Sequence, residues 1–205
     1  MKFFYTGTAK YNTEQRNPSL SIGGFVSSSV IPNDVVANLF GNISKLAEQN
    51  LQRQAILIAV KNTFNEKIQG VLFSFLVANW DKLITEFDIA FVASSKNECG
   101  DIYFDKINDS GAIPYVTFET LSSSNYQFDL GDFEVGQVIG IWLVRKILKN
   151  KLTPISCEQL YANYLNTPYI DPSTGTQYNP DPQAEEESIS INLDWTPDDS
   201  HSDSV

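Results

Sequence analysis

Histidine occurs once in this chain, at His201, and cysteine twice, at Cys99 and Cys157. A Ser-His-Asp or Cys-His relay would have to be built from a Ser/Asp-rich stretch four residues from the last position, which is a poor place to hold a base in fixed geometry. A tetrahedral zinc centre has too few ligands to draw on. The two cysteines stand 58 positions apart with no second pair, so they are expected as free thiols rather than as a disulfide framework. Long apolar runs are also missing: nothing approaches the roughly 20 residues that span a bilayer. The opening Met1-Lys2-Phe3-Phe4-Tyr5-Thr6-Gly7 lacks the apolar stretch and small-residue cleavage site of a secretory signal. Synthesis and retention in a cytosol are therefore expected, and the sequon Asn42-Ile43-Ser44 then carries little meaning. No Gly-x-x-x-x-Gly-Lys-Ser/Thr is present, and Gly131-Asp132-Phe133-Glu134-Val135-Gly136 is not followed by a helical pattern, so neither nucleotide fingerprint is met.

Basic residues are absent from the last quarter. All 14 Lys and Arg lie at or before Lys151, whereas ten of the 25 acids follow it. Residues 1–151 thus hold 14 basic against 15 acidic groups, a net of −1, and the last 54 residues carry −10 of the total −11. Spread evenly, that charge would argue against a phosphate-seeking surface, which needs lysine and arginine to displace counterions, but it is not spread evenly, and sequence-specific nucleic acid is simply not among the expected partners. A nearly neutral body joined to a self-repelling acidic segment is the reading.

What is abundant is β-prone and aromatic sequence, with 13 Phe and 9 Tyr. Between Gln54 and Ile147 seven short runs are separated by turn residues: Ala55–Val60, Val71–Val77, Phe87–Val92, Ile102–Phe104, Tyr115–Leu121, Tyr126–Leu130 and Val135–Ile147. That density predicts an antiparallel sandwich. Phe87, Ile89 and Phe91 share one strand face, while Ala55–Val60 is apolar on both faces and is placed mid-sheet or under a helix. Along the last run Val138, Gly140, Trp142 and Val144 take one side, and Ile139, Ile141, Leu143 and Arg145 the other. Asn33 as N-cap and the apolar spacing of Val36, Leu39, Phe40, Ile43 and Leu46 predict a helix over about 34–52. Ser156 and Gln159, spaced as a capping box before Leu160, Tyr161, Tyr164 and Leu165, predict a second, short one.

The two ends read differently. Residues 1–33 alternate β-prone and polar pieces and hold Phe3, Phe4, Tyr5, Leu20, Ile22 and Phe25, side chains that need something to lie against. Residues 166–184 carry four prolines and read as an extended linker. Beyond it Ile189, Ile191, Leu193 and Trp195 line one face of a strand. The chain accordingly divides into an N-terminal arm (1–33), a helix and β-sandwich body (34–151), and a short helix with an acidic arm (152–205). Strand addition to a neighbouring copy is the preferred reading of the arms, and folding back on the chain's own sandwich is the other. The expected subunit-interface residues are Phe3, Tyr5, Leu20, Ile22, Phe25, Ile189, Ile191, Leu193 and Trp195.

Candidate chemistry is sparse. Glu86, Asp88, Glu119, Asp129 and Glu134 offer carboxylate pairs of the kind glycoside hydrolysis uses, although solvent-facing strand and turn acids look the same in sequence. Asp101, Asp105, Asn108 and Asp109 cluster without the EF-hand order of calcium ligands, and a hairpin turn at 108–111 accounts for them. Tyr103, Tyr115, Tyr126 and Trp80 are the aromatics a carbohydrate-binding or adhesin-like module would expose. No catalytic residue, metal or cofactor is expected.

Three stretches resemble virion structural proteins of tailed bacteriophages, especially the short-tailed crAss-like phages of Bacteroides. Tyr5-Thr6-Gly7-Thr8-Ala9, with Ser19-Leu20-Ser21-Ile22-Gly23-Gly24-Phe25-Val26-Ser27-Ser28 and Pro32-Asn33, looks like their N-terminal arm. Leu39-Phe40 to Ile43-Ser44 resembles the helix that follows it, and Val138-Ile139-Gly140-Ile141-Trp142-Leu143-Val144-Arg145 is similar to their last sandwich strand. The likeness covers about residues 5–147, through glycine, serine and apolar positions. It implies a non-catalytic subunit of a neck or tail ring, commonly twelvefold, assembled in the host cytoplasm and carried in the virion. Its partners would be sister copies, the portal and neighbouring neck or tail proteins, with passive contact with transiting DNA and none with a membrane.

Overall fold

The computed structural model describes residues 1–31, 37–40, 53–77, 80, 85–107, 113, 116–147, 169–178 and 189–197. Its strands, in chain order, are β1 (Lys2–Tyr5), β2 (Gly24–Phe25), β3 (Val30–Ile31), β4 (Arg53–Lys61), β5 (Ile68–Val77), β6 (Thr85–Ala93), β7 (Ser95–Lys96), β8 (Ile102–Phe104), β9 (Glu119–Thr120), β10 (Gln127–Asp129), β11 (Val138–Ile147), β12 (Tyr169–Ile170), β13 (Gln177–Tyr178) and β14 (Ile189–Pro197). Among the described residues, one helical segment, α1 (Ala37–Phe40), and a 3-10 turn at Pro18–Leu20 accompany them. The protein is mainly β, built from antiparallel sheets. The predicted helix over 34–52 lies largely, and the one after Lys151 wholly, outside the described residues.

The central sheet has the order β3-β1-β4-β11-β6-β9. β4 and β11 sit at its middle, where both faces are covered, and this is why their sequences are apolar on both sides. β11 pairs with both neighbours along its length: Ile141 lies opposite Ile58 on β4 and Phe91 on β6, and Trp142 opposite Leu57 and Ala90. Odd positions of β11 point into one core and even positions into another, as the alternation predicts. A second sheet, β10-β5-β14, covers one face. Between the two sheets Phe3, Ile58, Val60, Phe87, Ile89, Ile141 and Leu143 meet Val71, Phe73, Phe75, Ile191 and Leu193. Edge-on aromatic contacts stitch the layers: the Phe3 and Phe73 rings lie 6.1 Å apart at 84°. A small sheet, β2-β8-β7, covers the opposite face, where Val26, Ile102 and Phe104 pack on Leu57, Ala59, Ala90 and Trp142.

Residues 1–31, expected as an arm, are part of this body. β1 pairs with β4 on one side and β3 on the other. A buried polar network then locks the following chain to the centre of the sheet. The Thr6 amide donates to Ser21 Oγ (2.8 Å), and the Ser21 and Thr6 hydroxyls both donate to the Leu57 carbonyl (2.6 and 3.0 Å). The Leu57 amide returns a bond to the Ser21 carbonyl (2.6 Å). Thr6 and Ser21 are both fully buried, and their partnered hydroxyls offset the cost of taking polar groups out of water. Gly7 makes the approach possible: at φ +94° a Cβ there would fall 1.9 Å from the Leu20 carbonyl oxygen. The stretch read as an extended linker also differs in part from expectation, because β12 and β13 form a two-stranded hairpin within it.

Candidate functional site

The terminal strands and the few buried or clustered charges are the candidate sites. Of the nine expected interface residues, Phe3 and Tyr5 are buried core side chains of the chain's own central sheet. Burial raises the Tyr5 hydroxyl above its ordinary value. Phe25 and Ile22 are half-buried, Phe25 edge-on to Tyr103, and Leu20 is exposed at 54 %. Phe3 and Tyr5 are thus held in the chain's own sheet, where their pairing and the Thr6–Ser21–Leu57 network use its middle, while Leu20 keeps about half of its surface exposed.

β14 is placed differently. It lies at the edge of the covering sheet and pairs with β5 alone among the described strands. The register sets Ile191 opposite Phe75 and Leu193 opposite Phe73, and both side chains enter the core. Trp195 is half-buried, its ring 5.8 Å from that of Phe64. A bulge between Asp194 and Thr196 shifts the register before Pro197, the last described residue of the strand, which lies opposite Ile68. Ile189 begins the strand opposite Val77. The alternate reading of the sequence, in which this segment closes its own sandwich, is the arrangement seen within the single chain.

Carboxylate chemistry finds less support in the geometry. Glu86 and Asp88 are drawn together by one ammonium: Lys146 Nζ lies 2.5 Å from Asp88 Oδ2 and 3.0 Å from Glu86 Oε1, and the Thr120 hydroxyl donates to Asp88 Oδ1 (3.0 Å). The bond to Asp88, reinforced by Glu86 and opposed by partial burial, holds Lys146 above its ordinary value of 10.5. These acids are the two anionic partners of the Lys146 ammonium, and the ion pairs anchor β6 to β11. Glu119 is exposed on the short β9, Asp129 caps the Gly131 amide, and Glu134 lies 3.7 Å from Lys67. Lys67 sits closer to Asp132, whose carboxyl is held below its ordinary value by that contact and by the Gly70 amide. Asp101 is bound to Asn97 through both side chain and backbone, and Asp105 is exposed. Asn108 and Asp109 lie outside the described residues, among which no group of three metal-ligating side chains is present. Cys99 is a free, exposed thiol.

Sequence reasoning passed over Arg145. It shares the core face of β11 with Ile141 and Leu143, yet its guanidinium is accommodated: Nε donates to Gln54 Oε1 (3.1 Å), Nη2 to the same oxygen and to the Phe40 carbonyl (3.1 Å), and the group stacks 5.1 Å from the Phe40 ring. This buried cation ties α1 to the sheet; the only advance signal was a charge at an inward parity. The aromatics of a binding module are also largely committed. Trp80 packs against Phe75 and Tyr103 against Phe25, Tyr126 is half-buried, and Tyr115 lies outside the described residues.

Comparison with protein-family models, with curated proteins and with solved structures finds no match. The functional reading therefore rests on the residues and their geometry.

Proposed function

We propose that the chain is a structural subunit of a tailed-phage virion, forming a multi-subunit ring in the portal, neck or tail region, without catalytic activity. The observation that carries this reading is the seat of β14: a nine-residue apolar-faced strand at a sheet edge, separated by 41 residues from the previous strand of the body. An element of this kind adds to an edge by main-chain hydrogen bonds and takes its register from alternate side chains. The sequence likeness of residues 5–147 to phage ring proteins points the same way. Its portal and neck partners and its twelvefold symmetry come from that likeness alone. A carbohydrate-binding module is the second reading, and it is weakened by the packing of Trp80 and Tyr103 against neighbouring rings.

The test is native mass spectrometry and electron microscopy of the purified full-length chain across a wide concentration range. Closed rings of defined subunit number are expected. A chain that stays monomeric at every concentration, and binds glycans on an array, would replace the ring reading with the binding-module one.

A further inference from the structure

The four outer edges of the two facing sheets are unequal. β3 and β9 are two residues long and β10 is three, whereas β14 is nine. β1 is not an edge at all; detaching it would break ladders to β3 and β4 and pull on the Thr6–Ser21–Leu57 network. Detaching β14 breaks one ladder among the described strands and leaves every other pairing intact. It also uncovers Phe73 and Phe75, so the vacated edge of β5 needs a strand of the same pattern.

The geometry points to β14 as an exchangeable strand: in the assembled ring, Ile189–Pro197 of each copy seats on β5 of the adjacent copy, in the register found here within one chain. This rests on the ring reading and names the contact that holds the ring. Residues 148–188 connect β11 to β14, and at about 3.3 Å per extended residue that span reaches on the order of 130 Å. If β12 and β13, which pair with each other and with no other described strand, keep their hairpin, roughly 100 Å remains. Either value exceeds the about 30 Å across a small domain. The same residues make the same contacts whether β14 is donated or kept, so the choice turns on tether entropy, which changes slowly with loop length, and on local concentration. In a closed head-to-tail ring every copy donates one strand and receives one, so no seat is left empty.

A disulfide across the ladder tests this. Ser74 and Asn192 are direct register partners on the side of the sheet opposite the core. In a background carrying Cys99→Ser and Cys157→Ser, the full-length chain with Ser74→Cys and Asn192→Cys is assembled, oxidised, fractionated by size and run without reductant. The ring fraction is expected to give covalent dimers and higher multimers. Co-assembly of copies carrying Ser74→Cys alone with copies carrying Asn192→Cys alone is expected to give covalent dimers as well. Rings whose bonds are all within one chain overturn the exchange and leave the ring reading standing. Absence of rings overturns the ring reading, and the exchange with it. Ser74 is nearly fully buried, so Leu76→Cys with Ser190→Cys, the next register pair and more exposed, serves if the first variant does not fold.

Discussion

The seat of β14 makes a parity prediction that can be worked in numbers. Ile191 is 4 % and Leu193 8 % exposed, and both belong to the core between the two sheets. Truncating a buried Leu or Ile to Ala costs about 2–5 kcal/mol, the sum of lost transfer energy and the residual cavity. An edge strand can relax towards its neighbour, so the lower end applies: about 2–3 kcal/mol for each of Ile191→Ala and Leu193→Ala. The two side chains stand two residues apart on one face and share the Phe73–Phe75 surface, so the double variant should fall somewhat short of the sum. Ser190, Asn192 and Asp194 alternate with them on the other side, and Ser190→Ala and Asn192→Ala should move stability by no more than about 0.5 kcal/mol. Urea unfolding at fixed protein concentration, followed by tryptophan fluorescence, reads these differences; Trp195 itself reports on the strand. Since a small domain has only about 5–15 kcal/mol to lose, a loss of 4–5 kcal/mol should bring the double variant close to unfolding. Equal effects at odd and even positions, or no effect at 191 and 193, would show that this strand does not complete the core in the register described.

Two further perturbations probe the central sheet. Gly140 lies mid-strand in β11, where Ala would ordinarily stabilise by about 0.5–1 kcal/mol, but a Cβ there would come 2.6 Å from both the Phe104 ring and Val92 Cγ2. Overpacking of about 1–3 kcal/mol should win, so Gly140→Ala is expected to destabilise, and combining it with Phe104→Leu should cost less than the two single changes added; strict additivity in a double-mutant cycle would refute the clash. Lys146→Met should cost about 1 kcal/mol near pH 8, because the ammonium is partly exposed and its pairing screened. Its value is raised in the fold, so that stabilisation is fully present below 10.5 and fades as pH rises through the higher folded value; the stability gap between wild type and Lys146→Met should narrow above about pH 10.5, and a gap constant to pH 12 would refute the assignment.

Much of the body could be read from one-dimensional pattern, because apolar periodicity reports the side of a strand that water does not reach. The sequence alone determined that the protein is mainly β, that the runs around Ile58 and Trp142 lie where both faces are covered, and that Ile191, Leu193 and Trp195 share a strand face. It also determined the split between a near-neutral body and an acidic end. Short strands were less legible: of the run Tyr115–Leu121 only β9 pairs among the described residues, since two hydrogen-bonded residues leave no periodicity to detect. What only the tertiary structure decided is which strand each terminal segment joins. An apolar alternation specifies a face and not a partner, and the same side chains would fit β5 of any copy. For the N-terminal residues the choice was made by Thr6 and Ser21, polar groups whose hydroxyls meet the Leu57 carbonyl across 51 and 36 positions of sequence. Nothing local distinguishes them from turn residues, because a buried hydrogen bond becomes visible only once its distant acceptor is in place.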